Sequence, residues 1–220
     1  KKVQKDFEAT HVRPERLMKT LFTDEAYVKA NVDEARLMRR LFDLACNMQS
    51  HDTDMQLYSL FTDEECYDLW SCNNLYWYLT HACSPVTDGL MPYREADLLR
   101  NILDRADAAL KEGKKQATLR FGHESCLLPL VALLELNHYG ESYPDVEKLS
   151  EQWRAYDIFP MASNVQFVFF HKKGSNDVLV KVLLNEKETK LPVKTDVAPY
   201  YHWKDVESYY REKLDKYQHI

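Results

Sequence analysis

Apolar residues recur at helical spacing through the first half of the chain. Between positions 14 and 110 they return every three or four residues, the period of an amphipathic helix with one buried face. The clearest stripe consists of Leu37, Met38, Leu41, Phe42, Leu44 and Ala45. The pattern predicts helices over residues 14–22, 25–49, 63–82 and 93–111.

Local signals mark two of these helix ends. Thr62-Asp63-Glu64-Glu65 has the form of a capping box, in which the Thr62 hydroxyl and the Glu65 carboxylate satisfy each other's backbone N–H groups. Gly113 is suited to terminate the last helix, because glycine adopts the left-handed conformation without steric cost. The first half is therefore predicted to be mainly helical.

After Gly113 the pattern changes to a strand, a loop and a helix. Residues 116–121 (QATLRF) are rich in β-formers, residues 122–125 (GHES) suit a turn, and residues 127–136 form a dense apolar run that contains Pro129. The pattern predicts a strand over 116–121 and a helix over 127–136.

The pattern in the last third of the chain predicts a hairpin and a terminal helix. Residues 164–170 and 177–184 are β-rich and flank the turn-forming segment Lys-Lys-Gly-Ser-Asn, and residues 203–217 are amphipathic at helical spacing. Together the patterns predict an α/β fold with two parts: a mainly helical region over residues 1–112 and an α/β region over residues 113–220.

Composition narrows the class of protein. The 220 residues are 45% hydrophobic and 29% charged, which is typical of a globular protein. The net charge of −6 argues against a nucleic-acid partner, and no apolar stretch reaches the about 18 residues that a membrane span requires. Five cysteines form no Cys-x-x-Cys pair, so disulfide pairing stays open.

His123 and Glu124 are the candidate catalytic residues. They occupy the loop between the predicted strand and helix, where backbone N–H groups and the positive helix end favour a bound anion. An imidazole can donate a hydrogen bond to a phosphoryl oxygen, and a carboxylic acid can protonate a leaving alkoxide. The alternative is that both residues only cap the following helix.

The segment around these residues resembles a known family. Residues 119–130 (LRFGHESCLLPL) are similar to the second signature of the histidine acid phosphatases, branch 2 of the histidine phosphatase superfamily, and particularly to the multiple inositol polyphosphate phosphatases. Residues 74–79 and 98–103 are similar to the family's helical insert. Residues 162–168 and 180–186 are similar to its late hairpin. The resemblance therefore extends over about residues 40–215, in the family's order.

The resemblance implies a fold and a reaction. The fold is the phosphoglycerate-mutase-like α/β sandwich, with residues 1–112 as the insert or cap and residues 113–220 as the C-terminal part of the phosphatase domain. The reaction is hydrolysis of a phosphorylated small molecule, such as an inositol polyphosphate, through a phosphohistidine and without metal or cofactor. His123 would contact the phosphoryl group and Glu124 would protonate the leaving oxygen. A periplasmic or extracellular location is implied by the family alone.

Two departures from the family pattern shape the interpretation. In the inositol polyphosphate branch this signature reads His-Ala-Glu, and in other members it reads His-Asp. In this chain His123 is followed directly by Glu124. The nucleophile motif Arg-His-Gly-x-Arg-x-Pro does not occur in these 220 residues. We therefore expect an N-terminal segment of the same protein to carry the nucleophile and to fill the incomplete sheet, and we expect this chain alone to be inactive. A non-catalytic binding or scaffolding protein is the alternative.

Four other groups of residues have both a functional and a structural interpretation. A metal ion could be bound by His51-Asp52-Thr53-Asp54, but a solvated turn is the simpler account of this segment. A metal could also be bound by Cys66, Cys72, His81 and Cys83, but these residues are more simply explained as helix positions on different faces. Aromatic residues near 70–78 could stack on a ligand or form core. Lys114-Lys115 and Lys172-Lys173 could contact a polyanion or only solvate turns.

Overall fold

The computed structural model describes residues 1–217. It divides into two compact units, Lys1–Tyr76 and Trp77–Ile220, with the division inside one helix. The assignment of residues 1–112 to an insert and 113–220 to a phosphatase domain remains a prediction.

The first unit is helical. Helices α1 to α4 cover Lys2–His11, Glu15–Leu21, Glu25–Asn31 and Glu34–Asn47, and α5 covers Asp63–His81, which passes into the second unit. Helix α1 was not predicted. The predicted helix over 25–49 is two helices, because Val32 is extended and the Asp33 carboxylate accepts the Arg36 N–H at 3.0 Å, which starts α4 anew.

The predicted capping box is present at the start of α5. The Thr62 N–H donates to Glu65 Oε2 at 3.0 Å, and the Glu65 N–H donates to the Thr62 hydroxyl at 3.2 Å. Arg16 of α2 also donates to the Glu65 carboxylate, at 2.7 Å, and is the main reason that the pKa of Glu65 is lowered. The same carboxylate thus caps α5 and ties it to α2.

The second unit combines helices with a small antiparallel sheet. Helix α6 (Ala96–Glu112) ends at Gly113 with φ +67°, as predicted. The remaining helices are α7 (Glu124–Leu133), α8 (Leu149–Gln152), α9 (Ala155–Ile158) and α10 (Trp203–Lys216). The strands are β1 (Val165–His171), β2 (Val178–Leu184), β3 (Lys187–Glu188) and β4 (Tyr201–His202).

The predicted hairpin and terminal helix are confirmed. Strands β1 and β2 pair antiparallel from Val165 opposite Leu184 to His171 opposite Val178, and β2 also pairs with β3 and β4. The core of this unit lies beneath α7, α10 and the sheet, where Leu128, Leu133, Val180, Val182 and Tyr210 are buried.

The predicted strand over 116–121 is wrong for the described chain. Residues 114–123 form no ladder and are exposed throughout, with Leu119 75% and Phe121 94% accessible. A strand requires a neighbour to satisfy its backbone groups, and no segment of residues 1–217 pairs with this one. The segment is rich in β-forming residues, but β propensity carries no information about a pairing partner.

The helix after this segment begins earlier than predicted. Helix α7 starts at Glu124 rather than at position 127, so Pro129 is its sixth residue and lies inside the helix. Proline has no N–H to give the ladder, so one backbone bond is missing at this turn. Pro129 is nevertheless buried with its neighbours Leu128 and Leu130, and apolar packing holds the helix together there.

Candidate active site

His123 and Glu124 lie together at the start of α7. His123 is the N-cap residue with extended backbone, and Glu124 is the first residue of the helix. The His123 carbonyl accepts the N–H groups of Cys126 at 3.0 Å and Leu127 at 3.1 Å, which fixes the backbone of the turn. Both predicted site residues therefore share one short, ordered segment.

The side chains of His123 and Glu124 are exposed to solvent. His123 makes no side-chain capping bond, and within residues 1–217 neither side chain has a hydrogen-bond partner. The structure therefore does not support the alternative that the His123 side chain caps the helix. Glu124 does lie in the first helical turn, where a carboxylate complements the positive end of the helix.

Glu124 occupies a different helical position from the acid of the His-Ala-Glu pattern. That pattern would place the acid at position 125, where this chain has the half-buried Ser125. Consecutive helical residues point about 100° apart, so the Glu124 side chain leaves the helix in another direction than an acid at 125 would.

A third titratable side chain belongs to the same neighbourhood. His81, at the end of α5, is only 7% exposed, and its Nδ1 lies 2.7 Å from the Thr80 hydroxyl. Burial lowers the pKa of His81, the positive charge of Arg94 lowers it further, and the negative charge of Glu124 raises it. No sequence pattern indicates this effect, because His81 and Glu124 are far apart along the chain.

The far end of α7 is held by α10. The Tyr210 hydroxyl donates to the Leu134 carbonyl at 2.7 Å, and Lys213 Nζ donates to the Leu133 carbonyl at 2.7 Å. These donors satisfy carbonyls that a helix end leaves without intrahelical partners, and the lysine complements the negative end of the helix. The helix that carries His123 and Glu124 is therefore anchored at its opposite end.

The other groups of candidate residues are placed as follows. Within residues 1–217, no group of three or more His, Cys, Asp or Glu side chains is arranged to hold a metal ion, which leaves both metal interpretations without support. Tyr78 is fully buried against Trp153 and Trp77 packs on Phe159, so these aromatics of α5 serve the core. All four lysines of the two Lys-Lys pairs are exposed.

None of the helices in the described part of the chain is both long and apolar enough to cross a bilayer.

A match to a family model defines the class of protein. The chain belongs to the histidine phosphatase superfamily, branch 2, whose model matches residues 2–185. The predicted family and its α/β fold with a helical insert are thereby confirmed.

The chain is similar to particular members of that family. It is 28% identical over 134 residues to human multiple inositol polyphosphate phosphatase 1, covering 55% of this chain and 27% of the relative. Crystal structures of a multiple inositol polyphosphate phosphatase from Bifidobacterium longum have the same fold. The complex with phosphate has a TM-score of 0.71 at 21% identity, over 82% of this chain and 40% of that one. The complex with inositol hexasulfate has a TM-score of 0.66 at 21% identity, over 80% of this chain and 38% of that one. The chain thus spans well under half the length of these relatives.

Proposed function

We propose that this chain is part of a phosphomonoesterase that hydrolyses phosphorylated small molecules, inositol polyphosphates foremost, through a phosphohistidine intermediate. The observation that carries the proposal is the pairing of exposed, uncommitted His123 and Glu124 side chains at the first turn of α7. The family and the two named relatives support a phosphatase reaction and this substrate class.

The proposed chemistry divides the work between this chain and another segment. A histidine outside these 220 residues attacks phosphorus and takes the phosphoryl group, and water then releases it as phosphate. His123 donates a hydrogen bond to a phosphoryl oxygen, which stabilises negative charge as the bond to the leaving oxygen breaks. Glu124 gives its proton to that oxygen, so that the product leaves as an alcohol. The chain needs no metal or cofactor in this scheme.

The exposed segment over 116–121 is where the other segment would dock. Leu119 and Phe121 lie two positions apart, so in an extended chain they share one face, and both are largely exposed. A strand from the N-terminal segment of the same protein would pair with 116–121, bury this face and bring the nucleophile beside His123. The chain alone would then be inactive. The location that goes with this family assignment is periplasmic or extracellular.

Phosphate release tests the proposal directly. The full-length protein should release phosphate from myo-inositol hexakisphosphate, the 220-residue chain alone should not, and His123→Ala should lower kcat by about 100-fold or more. His138→Ala is the matched control, because His138 is also exposed but lies beyond the opposite end of α7. Equal rates for the wild-type and His123→Ala proteins would reject the assigned role.

A non-catalytic binding protein is the second candidate, and one observation favours it. The sequence contains no Arg-His-Gly, and its acid is displaced relative to the His-Ala-Glu pattern. A full-length protein that binds the hexakisphosphate without releasing phosphate would establish this alternative.

A further inference from the structure

The exposed segment that follows α6 runs back along that helix. Helix α6 ends at Gly113, and two side chains of the segment beyond it contact the helix. Gln116 Nε2 donates a hydrogen bond to the Ala109 carbonyl at 3.3 Å. Arg120 Nη2 donates a hydrogen bond to Asn101 Oδ1 at 2.8 Å. As the segment advances from 116 to 120, its contacts therefore move toward the start of α6.

The length of the helix between these contacts matches the length of the segment. From Asn101 to Ala109, α6 rises by about 12 Å at 1.5 Å per residue. From Gln116 to Arg120, an extended chain covers about 13 Å at 3.3 Å per residue. The two hydrogen bonds therefore fit a segment that lies extended and antiparallel to α6.

The two faces of this extended segment have different surroundings. Gln116 and Arg120 are an even number of positions apart, so both side chains leave an extended chain on the face toward α6. Leu119 and Phe121 belong to the opposite face and are 75% and 94% exposed. Since no strand of residues 1–217 pairs with the segment, side-chain bonds to α6 are what hold it in place.

The bond between Arg120 and Asn101 is the stronger of the two contacts. Its donor is a charged guanidinium at 2.8 Å, whereas the Gln116 amide is neutral and bonds at 3.3 Å. Arg120 also stands only three positions before His123, so this bond fixes the chain close to the start of α7. Asn101 is held in turn by the second turn of α6.

We propose that Asn101 is a positioning residue, which holds His123 at the site through its hydrogen bond to Arg120. This inference rests on the proposed function and assigns a role in it to a residue outside the His123–Glu124 turn. A partner strand would bond to the backbone edge of the segment, in the plane of the sheet, whereas Asn101 holds the segment across its face. The two contacts therefore do not replace each other. A shift of about 1 Å in a group that contacts the reacting phosphate is enough to slow a reaction.

Kinetics of Asn101 variants in the full-length protein test the proposal. With 4-nitrophenyl phosphate, Asn101→Leu removes the acceptor and should lower kcat/KM by about 3- to 10-fold, the effect of one lost hydrogen bond. Asn101→Asp should restore most of the activity, because a carboxylate also accepts from a guanidinium. Arg105→Met is the matched control, since Arg105 is exposed one turn further along α6 and should leave the rate unchanged.

A His123→Ala background separates positioning from a general structural role. If Asn101 acts through His123, Asn101→Leu should have no further effect in a protein that already lacks the imidazole. An equal loss with and without His123, or an unchanged rate in the single variant, would overturn the role of Asn101. Either result would leave the phosphatase assignment intact.

Binding of inorganic phosphate provides the readout if the wild-type protein releases no phosphate, the result that rejects the proposed reaction. Calorimetry should then show an affinity about 3- to 10-fold weaker for Asn101→Leu than for the wild type. In the His123→Ala background the same substitution should leave the affinity unchanged. An unchanged affinity in the single variant, or a wild-type protein that binds no phosphate, would refute the inference.

Discussion

The Tyr210 hydroxyl of α10 donates a 2.7 Å hydrogen bond to the Leu134 carbonyl at the C-terminal end of α7. Tyr210 is fully buried, so this carbonyl has no access to water as a substitute partner. The bond joins the last helix of the described chain to the helix that begins with Glu124. Distant residues thereby influence how firmly the candidate site is held.

Removal of that hydroxyl should destabilise the protein measurably. Tyr210→Phe leaves the buried Leu134 carbonyl without its donor, and we expect a loss of about 1–3 kcal/mol in the free energy of unfolding. Urea denaturation of the full-length protein measures it. Tyr27→Phe is the control, since Tyr27 is 54% exposed and should change stability by less than about 0.5 kcal/mol. Equal stabilities for the two variants would contradict the role of this bond.

The cysteines should differ in reactivity according to their burial. Burial raises the pKa of Cys72 to about 12 and that of Cys83 to about 11, whereas Cys46 and Cys126 are exposed. Iodoacetamide at about pH 8 reacts with thiolates, so Cys46 and Cys126 should be alkylated first. Mass spectrometry of the native protein over time checks the order. Early labelling of Cys72 would show that this part of the core is open.

His202 should give the protein a pH-dependent stabilisation. Its Nδ1 lies 3.0 Å from Asp177 Oδ2 and its Nε2 lies 2.9 Å from Asp196 Oδ1. These hydrogen bonds, with Asp177 first and Asp196 second, raise the pKa of His202 above 6.5. The protonated ring donates to both carboxylates, whereas the neutral ring has one N–H and can donate to only one.

The sign of this effect follows from the raised pKa. The stabilisation is fully present below the unfolded-state pKa of about 6.5 and is lost as the pH rises through the higher folded-state value. The stability gap between wild type and His202→Gln should therefore be larger at pH 5 than at pH 9 in urea titrations. His138→Gln, which removes a histidine without two carboxylate partners, should show no such trend. A gap that widens toward pH 9 would refute the assignment.

The exposed segment over 116–121 offers a test of the docking proposal. In the full-length protein, Phe121→Ser should cost about 2 kcal/mol or more if a partner strand buries that ring. Met161→Ser is the matched control, because Met161 is 95% exposed in the chain and lies outside this segment. Losses below about 0.5 kcal/mol for both variants would argue against a strand at Phe121.

Local signals predicted the parts of the fold that depend on neighbouring residues. The capping box at Thr62 and Glu65, the Gly113 terminus and the β1–β2 hairpin follow from side chains within a few positions of one another. The segment over 116–121 was predicted wrongly as a strand because its partner is not encoded in the same stretch. A strand is a property of two segments, and composition reports on only one.

The features of the candidate site also differ in whether the sequence could indicate them. His123 and Glu124 could be proposed as candidates because they are adjacent and belong to a segment that resembles a family signature. The link between His81 and Glu124 could not, because the two residues are far apart in the sequence and only the fold lets the charge of Glu124 act on the pKa of His81. Helical periodicity placed these residues on helices or turns but did not specify which helices meet.

The dependence of turnover on the leaving group tests the role of Glu124 most directly. A proton donor matters most when the departing oxygen is strongly basic, so Glu124→Gln in the full-length protein should slow hydrolysis of glycerol 2-phosphate by about 100- to 10,000-fold. Hydrolysis of 4-nitrophenyl phosphate, whose leaving group is stable as an anion, should slow far less. Glu112→Gln, at an exposed site on α6, should leave both rates unchanged. If Glu124→Gln slows both substrates equally, or neither, Glu124 is not the acid and the account of this site is wrong.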